Sequence, residues 1–130
     1  MTRVNVPSGS PLEATIGFSR AVRKGPFVSI AGTAPIPQDG GEVPQDVYAQ
    51  TQLCFEIASD ALGQAGASLS DTVRTRIFLT DISSWTDAAR AHGELFADVR
   101  PVCTFMEVSR FIDPDWRVEI ELDAILGTEE

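Results

Sequence analysis

The sequence predicts a single α+β domain in which two helices cover one face of a mixed β-sheet. Three observations support this prediction. A chain of 130 residues has room for one ordinary domain, and segments with strand and helix periodicity alternate along it. Two helices are also too few to cover both faces of a sheet built from the remaining segments. We therefore expect residues 1–130 to form one domain with the element order β-β-α-β-α-β-β.

A β-hairpin is predicted near the N-terminus. Residues 17–22 form a short segment of mixed polarity, and Phe27 to Gly32 (FVSIAG) has the composition of a strand. Residues 23–26 (RKGP) connect them with a glycine and a proline, which favour a turn. Pro7 to Pro11 is predicted to be an irregular lead-in. Residues 33–44 contain three prolines and two glycines and are predicted to form a loop.

The clearest helical pattern follows this loop. From Leu53 to Ala65 the apolar residues recur at the i, i+4 and i+8 positions of an amphipathic helix. Asp46 is a residue type that caps helix N-termini, and Gly66 is the type that follows helix C-termini. The sequence therefore predicts a long helix between Asp46 and Gly66. Cys54 lies on its apolar stripe, so we expect this cysteine to pack in the core.

A strand and a second helix come next. Residues 73–79 (VRTRIFL) alternate in polarity, which predicts a strand. Val73, Thr75, Ile77 and Leu79 are predicted to lie on one face of this strand. Ser83 or Ser84 can cap a helix that runs through Phe96. The predicted inner stripe of this helix is Trp85, Ala88, Ala89, His92, Leu95 and Phe96. Its position on the stripe favours a packing role for His92 over a catalytic one.

Two further strands are predicted at residues 103–109 and 117–125, with residues 111–116 (FIDPDW) between them. In the last strand one face is apolar and the other is mainly acidic, namely Val118, Ile120, Leu122 and Ala124 against Glu119, Glu121, Asp123 and Ile125. In the preceding strand both faces hold apolar side chains, with Thr104, Met106 and Val108 on one and Cys103, Phe105 and Glu107 on the other.

The face of the sheet that carries no helix is therefore partly apolar. In a monomer it would leave a large exposed apolar patch, which soluble proteins rarely show. We expect another subunit to cover this face. Interfaces between packed units are frequent positions of small-molecule clefts, so ligand sites are expected where the sheets of neighbouring subunits meet.

Charge and cysteine content narrow the range of functions. Ten basic and nineteen acidic residues give a net charge of −9, which argues against binding to nucleic acid or to a membrane surface. Two cysteines without a CxxC or Cys/His cluster predict free thiols in a reducing cytoplasm. A single histidine excludes a multi-histidine metal site, and no metal or cofactor is predicted. No segment approaches the roughly 18 apolar residues of a membrane span, and the N-terminus lacks the apolar run of a signal peptide.

Three segments, taken together, resemble the YjgF/YER057c/UK114 (Rid, RidA-like) family. They are FVSIAGTAPIPQDGGE at residues 27–42, the helix from residue 50 that runs into DTVRTRIFLTDISSW, and PVCTFMEVSRF with RVEIELDAI near the C-terminus. The similarity extends over roughly residues 12 to 126. The resemblance implies a chorismate-mutase-like fold and a homotrimer with three clefts between neighbouring subunits. It also implies a small-molecule metabolite as ligand.

Active members of this family hydrolyse reactive enamines and imines to ketoacids and ammonia. The resemblance implies that an arginine two residues after the proline of a "PARS" motif grips the substrate carboxylate. In this chain Cys103 occupies that place, which puts the sequence in an arginine-lacking subgroup. Two interpretations of Arg100, just before Pro101, stay open. It supplies the missing charge from a shifted position, or it is a surface arginine that pairs with an acid such as Asp98.

Other cleft positions of the family also differ in this chain. Phe18 stands for a tyrosine, Ala31 for a serine, Ala89 for an asparagine and Phe105 for a cysteine, whereas Gly32 and Glu119 are retained. The resemblance makes Glu119 the candidate catalytic residue, which would position water. Thr104 or a backbone N–H near Gly32 would help to hold the substrate. Two functions therefore stay open: an imine or enamine deaminase, and a non-catalytic trimer that binds a less charged small molecule.

Overall fold

The computed structural model describes residues 2–127 and shows a six-stranded sheet with three helices. The strands are β1 (Arg3–Val6), β2 (Ala21–Lys24), β3 (Phe27–Thr33), β4 (Thr72–Leu79), β5 (Val102–Glu107) and β6 (Val118–Ile125). The helices are α1 (Glu13–Ile16), α2 (Val47–Gln64) and α3 (Trp85–Phe96). Within residues 2–127, none of these helices combines the length and apolar character that a membrane crossing requires.

The strand order across the sheet is β1-β2-β3-β6-β4-β5. β4 and β5 are parallel, and the other neighbouring pairs are antiparallel. A parallel pair needs a crossover connection, and here α3 provides it. The prediction of an α+β fold with a mixed sheet is confirmed.

Both long helices pack on one face of the sheet. Val118, Ile120, Leu122 and Ala124 of β6 are at most 1% exposed, because they face this helical layer. The rings of Phe55 in α2 and Phe96 in α3 join the layer in an edge-to-face contact with centroids 5.3 Å apart. The predicted division of β6 into a buried apolar face and an acidic face is therefore confirmed.

The ends of α2 follow the predicted capping pattern. The Asp46 side chain accepts a hydrogen bond from the Ala49 N–H at 2.7 Å. At the other end Gly66 has a φ of 86°, the left-handed conformation in which glycine avoids the steric cost of a Cβ. The Arg23 guanidinium closes this end by donating to the Ala65 carbonyl at 2.9 Å.

The predictions for the N-terminal segment were wrong in part. Only residues 21 and 22 of the segment 17–22 belong to a strand, because α1 ends at a left-handed Gly17 and β2 begins at Ala21. β2 continues to Lys24, so the turn occupies residues 25–26 instead of the predicted 23–26. The predicted element order also omitted β1 and α1. Only Val6 of the four β1 residues is buried, and α1 buries none of its residues. Neither element therefore carries the apolar periodicity on which a sequence prediction depends.

Two predicted faces, one in β4 and one in α3, were also wrong in part. Val73 is 41% exposed, since a register shift between Thr72 and Arg74 turns it away from the core. In α3, Trp85 and Leu95 are 48% and 40% exposed, whereas Ala91 is fully buried. The buried stripe of α3 is rotated because this helix packs chiefly against α2. The fourth predicted strand is β5, which ends at residue 107 instead of 109.

The second face of the sheet carries no helix and is called the open face below. Its centre is a row of half-buried acids on β6, Glu119, Glu121 and Asp123. Exposed apolar side chains flank this row, with Phe27 and Val102 each 57% exposed and Ile125 44% exposed. The expected mixture of polar and apolar groups on this face is present.

The left-handed residue after α2 gives a stability prediction with a matched control. We expect Gly66→Ala to lower the free energy of unfolding by about 1–2 kcal/mol, because a Cβ is disfavoured at positive φ. It would also lie 2.7 Å from an Arg23 guanidinium nitrogen. Gly63→Ala, within the same helix and with open space around the added Cβ, should raise stability by about 0.5–1 kcal/mol. Urea denaturation measures both, and equal signs would contradict this account.

Candidate functional site

Glu119 lies where the sheet is irregular. The pairing of β3 with β6 shifts register between Ile30 and Thr33, so Gly32 falls in a bulge beside β6. The Glu119 Oε1 is 3.2 Å from the point that a Cβ on residue 32 would occupy. A side chain at position 32 would therefore push the carboxylate aside. Glycine at this position allows the carboxylate to pack against the backbone of β3.

Arg20 fixes the same bulge from the side. Its Nη1 donates to the Gly32 carbonyl at 3.0 Å and to the Thr33 hydroxyl at 3.2 Å. The Thr33 hydroxyl in turn donates to the Ala31 carbonyl at 2.7 Å. The backbone against which Glu119 rests is thus held by hydrogen bonds that cross from β3 to the segment before β2.

Burial raises the pKa of the Glu119 carboxyl above its ordinary value. The positive charge of Arg20 opposes this rise, and the nearby Glu121 carboxylate adds to it. A carboxylate with a raised pKa is a stronger base and can take a proton closer to neutral pH. Carboxyl groups perturbed in this way are more frequent at functional sites than elsewhere.

The two acids that follow on β6 differ from Glu119. Arg76 of β4 lies 3.4 Å from the Glu121 carboxylate and 3.7 Å from that of Asp123. Asp123 also accepts a hydrogen bond from the Ser29 hydroxyl at 3.0 Å. Among residues 2–127, no Arg, Lys or His nitrogen lies within 4 Å of the Glu119 carboxylate. Glu119 is therefore the acid of this row that is free to interact with a ligand.

Cys103 and Phe105 lie away from Glu119, on the edge strand β5. Their register partners in β4 are Thr75 and Ile77, which face the helices. Cys103 is exposed, and Phe105 packs edge-to-face on the Trp85 ring with centroids 5.9 Å apart.

Thr104 pairs with Arg76 and belongs to the open face. β5 and β6 are separated by β4. A single chain therefore does not bring Cys103, Phe105 and Glu119 into one site.

Phe18 and Arg100 also occupy separate places. Phe18 is half-buried between α1 and β2, where its N–H donates to the Glu13 carbonyl at 3.2 Å. Arg100 has a φ of 55° and terminates α3, with its N–H on the Phe96 carbonyl at 2.8 Å and its Nε on the Ala97 carbonyl at 3.2 Å. Its guanidinium has no carboxylate within 4 Å among the described residues, so the pairing with Asp98, one of the two open interpretations, is not found there.

His92 and Cys54 contribute to the packing of the fold. The His92 Nε2 lies 2.8 Å from the hydroxyl of the buried Thr75, and its ring packs on Phe55 and Phe96. Burial lowers the pKa of His92 below its ordinary value. Cys54 is fully buried, and burial raises the pKa of its thiol well above the ordinary value. Within residues 2–127 no three His, Cys, Asp or Glu side chains are grouped in a way that could hold a metal ion.

Sequence reasoning missed two residues that shape the site, Arg20 and Gln50. Gln50 is fully buried in α2 and donates to the Pro44 and Asp115 carbonyls at 2.7 and 2.9 Å. Its Oε1 accepts the Arg117 N–H at 2.8 Å, two residues before Glu119. The sequence signal that could have identified Gln50 was a polar residue one turn after Asp46, on the buried face of the helix.

Comparison with known proteins places this fold in a recognised group. The sequence profile of the endoribonuclease L-PSP family matches residues 9–126. An uncharacterized protein of Streptomyces coelicolor is 39% identical over 122 residues, which are 94% of this chain and 91% of that protein. The crystal structure of Rv2704 from Mycobacterium tuberculosis, described as a member of the YjgF/YER057c/UK114 family, is 46% identical. It superimposes with a TM-score of 0.87 over 96% of this chain and 100% of that one.

A more distant relative is TdcF of Escherichia coli, named a candidate reactive intermediate deaminase. It is 26% identical over 111 residues, which are 83% of this chain and 85% of that protein. A crystal structure of TdcF with bound serine has the same fold, with a TM-score of 0.81, 24% identity and coverage of 95% and 94% of the two chains.

The raised pKa of Glu119 gives a pH-dependent stability prediction. The fold accommodates the protonated Glu119 carboxyl better than the carboxylate. The wild type therefore loses stability relative to Glu119→Gln as the pH rises from about 4.5 through the folded-state pKa of Glu119. We expect the two proteins to be equally stable below that range and the variant to be more stable at neutral pH. Chemical denaturation at several pH values measures the difference.

Asp123→Asn is the control, because it removes a partner of Arg76 without removing a charge that acts on the pKa of Glu119, and it should bring no gain in stability at neutral pH. A Glu119→Gln variant that is less stable than the wild type at neutral pH would show that the carboxylate is the favoured form in the fold.

Proposed function

The chain belongs to the endoribonuclease L-PSP family, the YjgF/YER057c/UK114 proteins, and on this premise we propose that it binds a small metabolite in clefts between the subunits of a homotrimer and hydrolyses an imine or enamine there. In this proposal Glu119 positions the attacking water. The observation that carries it is the half-buried Glu119 carboxyl, unpaired within 4 Å among the described residues and packed on Gly32.

The chemistry requires one base that can also return a proton. In the hydrolysis of a protonated imine, a water oxygen attacks the C=N carbon and Glu119 takes a proton from that water. The acid then protonates the nitrogen of the carbinolamine. The C–N bond breaks as the hydroxyl proton passes to Glu119, and the products are a ketone and ammonia. Ammonia takes that proton from Glu119 and leaves as ammonium, which restores the carboxylate. A carboxyl with a raised pKa suits both directions of proton transfer.

The relatives support a small, nitrogen-containing substrate. TdcF of Escherichia coli is named a candidate reactive intermediate deaminase, and its crystal structure holds serine. We propose by analogy that this chain accepts a ligand of comparable size. The net charge of −9 argues against RNA as the substrate, even though the family carries the name of an endoribonuclease.

The homotrimer is part of the proposal. The proposed site draws on Glu119, Ala31 and Gly32 near the β3–β6 bulge, and on Cys103 and Phe105 at the far edge of the sheet. Thr104, on the open face of that edge strand, would help to hold the substrate. Because these two groups are separated in one chain, a second copy has to bring its edge strand to the bulge of the first. The exposed apolar side chains of the open face favour such an association.

A second candidate function is non-catalytic binding of a less charged small molecule. The observation that favours it is the exposed, uncharged Cys103 side chain, which shares a face of β5 with Phe105 of the Trp85–Phe105 pair. A thiol cannot replace the planar set of donors with which an arginine grips a carboxylate. Arg100, which caps α3, supplies no donor to the Glu119 bulge in this conformation.

Substitution of Glu119 tests the proposed catalysis. With 2-iminobutyrate or 2-aminoacrylate generated in situ by a dehydratase, the wild type should accelerate ketoacid release above the rate in solvent. Glu119→Gln should lose about 10²–10⁴-fold of that acceleration, because a general base is removed while the shape is kept. Cys103→Ala should retain activity within a few-fold. No acceleration by the wild type, together with thermal stabilisation by a neutral metabolite, would instead support the binding module.

Substitution of Cys103 tests the meaning of the missing arginine. Cys103 is exposed on an edge strand, so a longer side chain can be accommodated there. We expect Cys103→Arg to raise the rate of imine hydrolysis by lowering KM for carboxylate-bearing substrates. Cys103→Lys is the matched control, which adds a charge without the bidentate donors. Equal rates in Cys103→Arg and the wild type would show that this charge is not what limits the cleft.

A further inference from the structure

The half-buried Arg20 also lines a cavity beside α2. The cavity has a volume of about 480 Å³ and lies between residues 8–11, residues 33–40 and α2. Its lining is partly polar and includes Ser8, Ser10 and Gln38, together with the apolar Pro37 and Ile57. Arg20 also borders a smaller adjoining cavity of about 110 Å³. Arg20 therefore lines space that a small molecule can enter.

Only part of the Arg20 guanidinium is used by the protein. Nη1 makes both of its hydrogen bonds, to the Gly32 carbonyl and the Thr33 hydroxyl. Within residues 2–127, Nε and Nη2 have no hydrogen-bond acceptor and no carboxylate lies within 4 Å of the group. Arg23 differs, because its Nε and Nη1 donate to the Gly25 and Ala65 carbonyls. Arg20 thus leaves one two-donor edge free.

Three acids lie around Arg20 without pairing with it. Glu13 of α1 accepts the Ser8 N–H and hydroxyl, and its charge and that of Glu119 both act on the pKa of Arg20. Asp60 of α2 lies on the wall of the smaller cavity. Burial lowers the pKa of Arg20, and the negative charges of Glu119 and Glu13 oppose that effect only in part. A ligand bound at the free edge would therefore contact the positive charge of Arg20, with the three carboxylates farther away.

We propose that the free Nε–Nη2 edge of Arg20 binds a small carboxylate in this cavity. A planar carboxylate can accept two parallel hydrogen bonds from such an edge. The surrounding acids favour a monoanion over a doubly charged phosphate, because each additional negative charge on the ligand is repelled. This site goes beyond the function proposed for Glu119 and does not require turnover.

Direct binding to the full-length protein tests the proposal. Propionate should shift the Nε–Hε resonance of Arg20 in a saturable manner and raise the thermal midpoint of the wild type, at constant ionic strength. Propionamide, which has the same shape without the charge, should do neither. Inorganic phosphate should bind at least several-fold more weakly than propionate.

Matched variants complete the test. Arg20→Gln should weaken propionate binding at least tenfold, and Arg23→Gln should leave it unchanged. Glu119→Gln should retain or tighten binding, whatever its effect on turnover, which separates this proposal from the catalytic one. The absence of a saturable Arg20 Nε–Hε shift in the wild type would overturn the proposal, even if Arg20→Gln did not fold. Equal weakening by Arg20→Gln and Arg23→Gln, or phosphate binding as tight as that of propionate, would overturn it too.

Discussion

The constraint on which the structure depends is that its helices cover one face of the sheet only. β6, at the centre, separates two environments along a single strand, with fully buried Val118 and Ile120 on one side and the half-buried Glu119 on the other. The face without helices carries an acidic row with exposed apolar side chains beside it. Such a surface is incompletely buried in one chain, and in our account it is completed by further copies.

The same constraint explains why the candidate acid is poorly neutralised. Arg76 lies against Glu121 and Asp123, whereas the Glu119 carboxylate lies over Gly32 and has no cationic nitrogen within 4 Å among residues 2–127. Burying a carboxylate without a close cation costs stability and raises its pKa. Proteins tolerate such costs mainly where a reactive or ligand-binding group is needed. Arg20 moderates the cost from the side while it keeps the bulge in place.

Regular, well-buried elements could be predicted from the sequence, and edge elements could not. The buried residues of α2 recur every three or four positions between capping residues, and β6 alternates along its length because one face is fully buried. β1 and α1 bury almost nothing, so no period marks them. Glu119 and Gly32 were identified through a family resemblance, and their contact depends on a bulge that no local pattern shows. Arg20 escaped notice because its role comes from a cavity formed by distant loops.

The mass of the particle in solution tests the central claim most directly. Sedimentation equilibrium at micromolar concentration should give a single species of about three times the 14.0 kDa of one chain. That species should persist after dilution, as expected when apolar faces are closed between subunits. A homogeneous particle of 14.0 kDa across the same range would contradict the account. Glu119 and Cys103 would then have no common cleft in which to act.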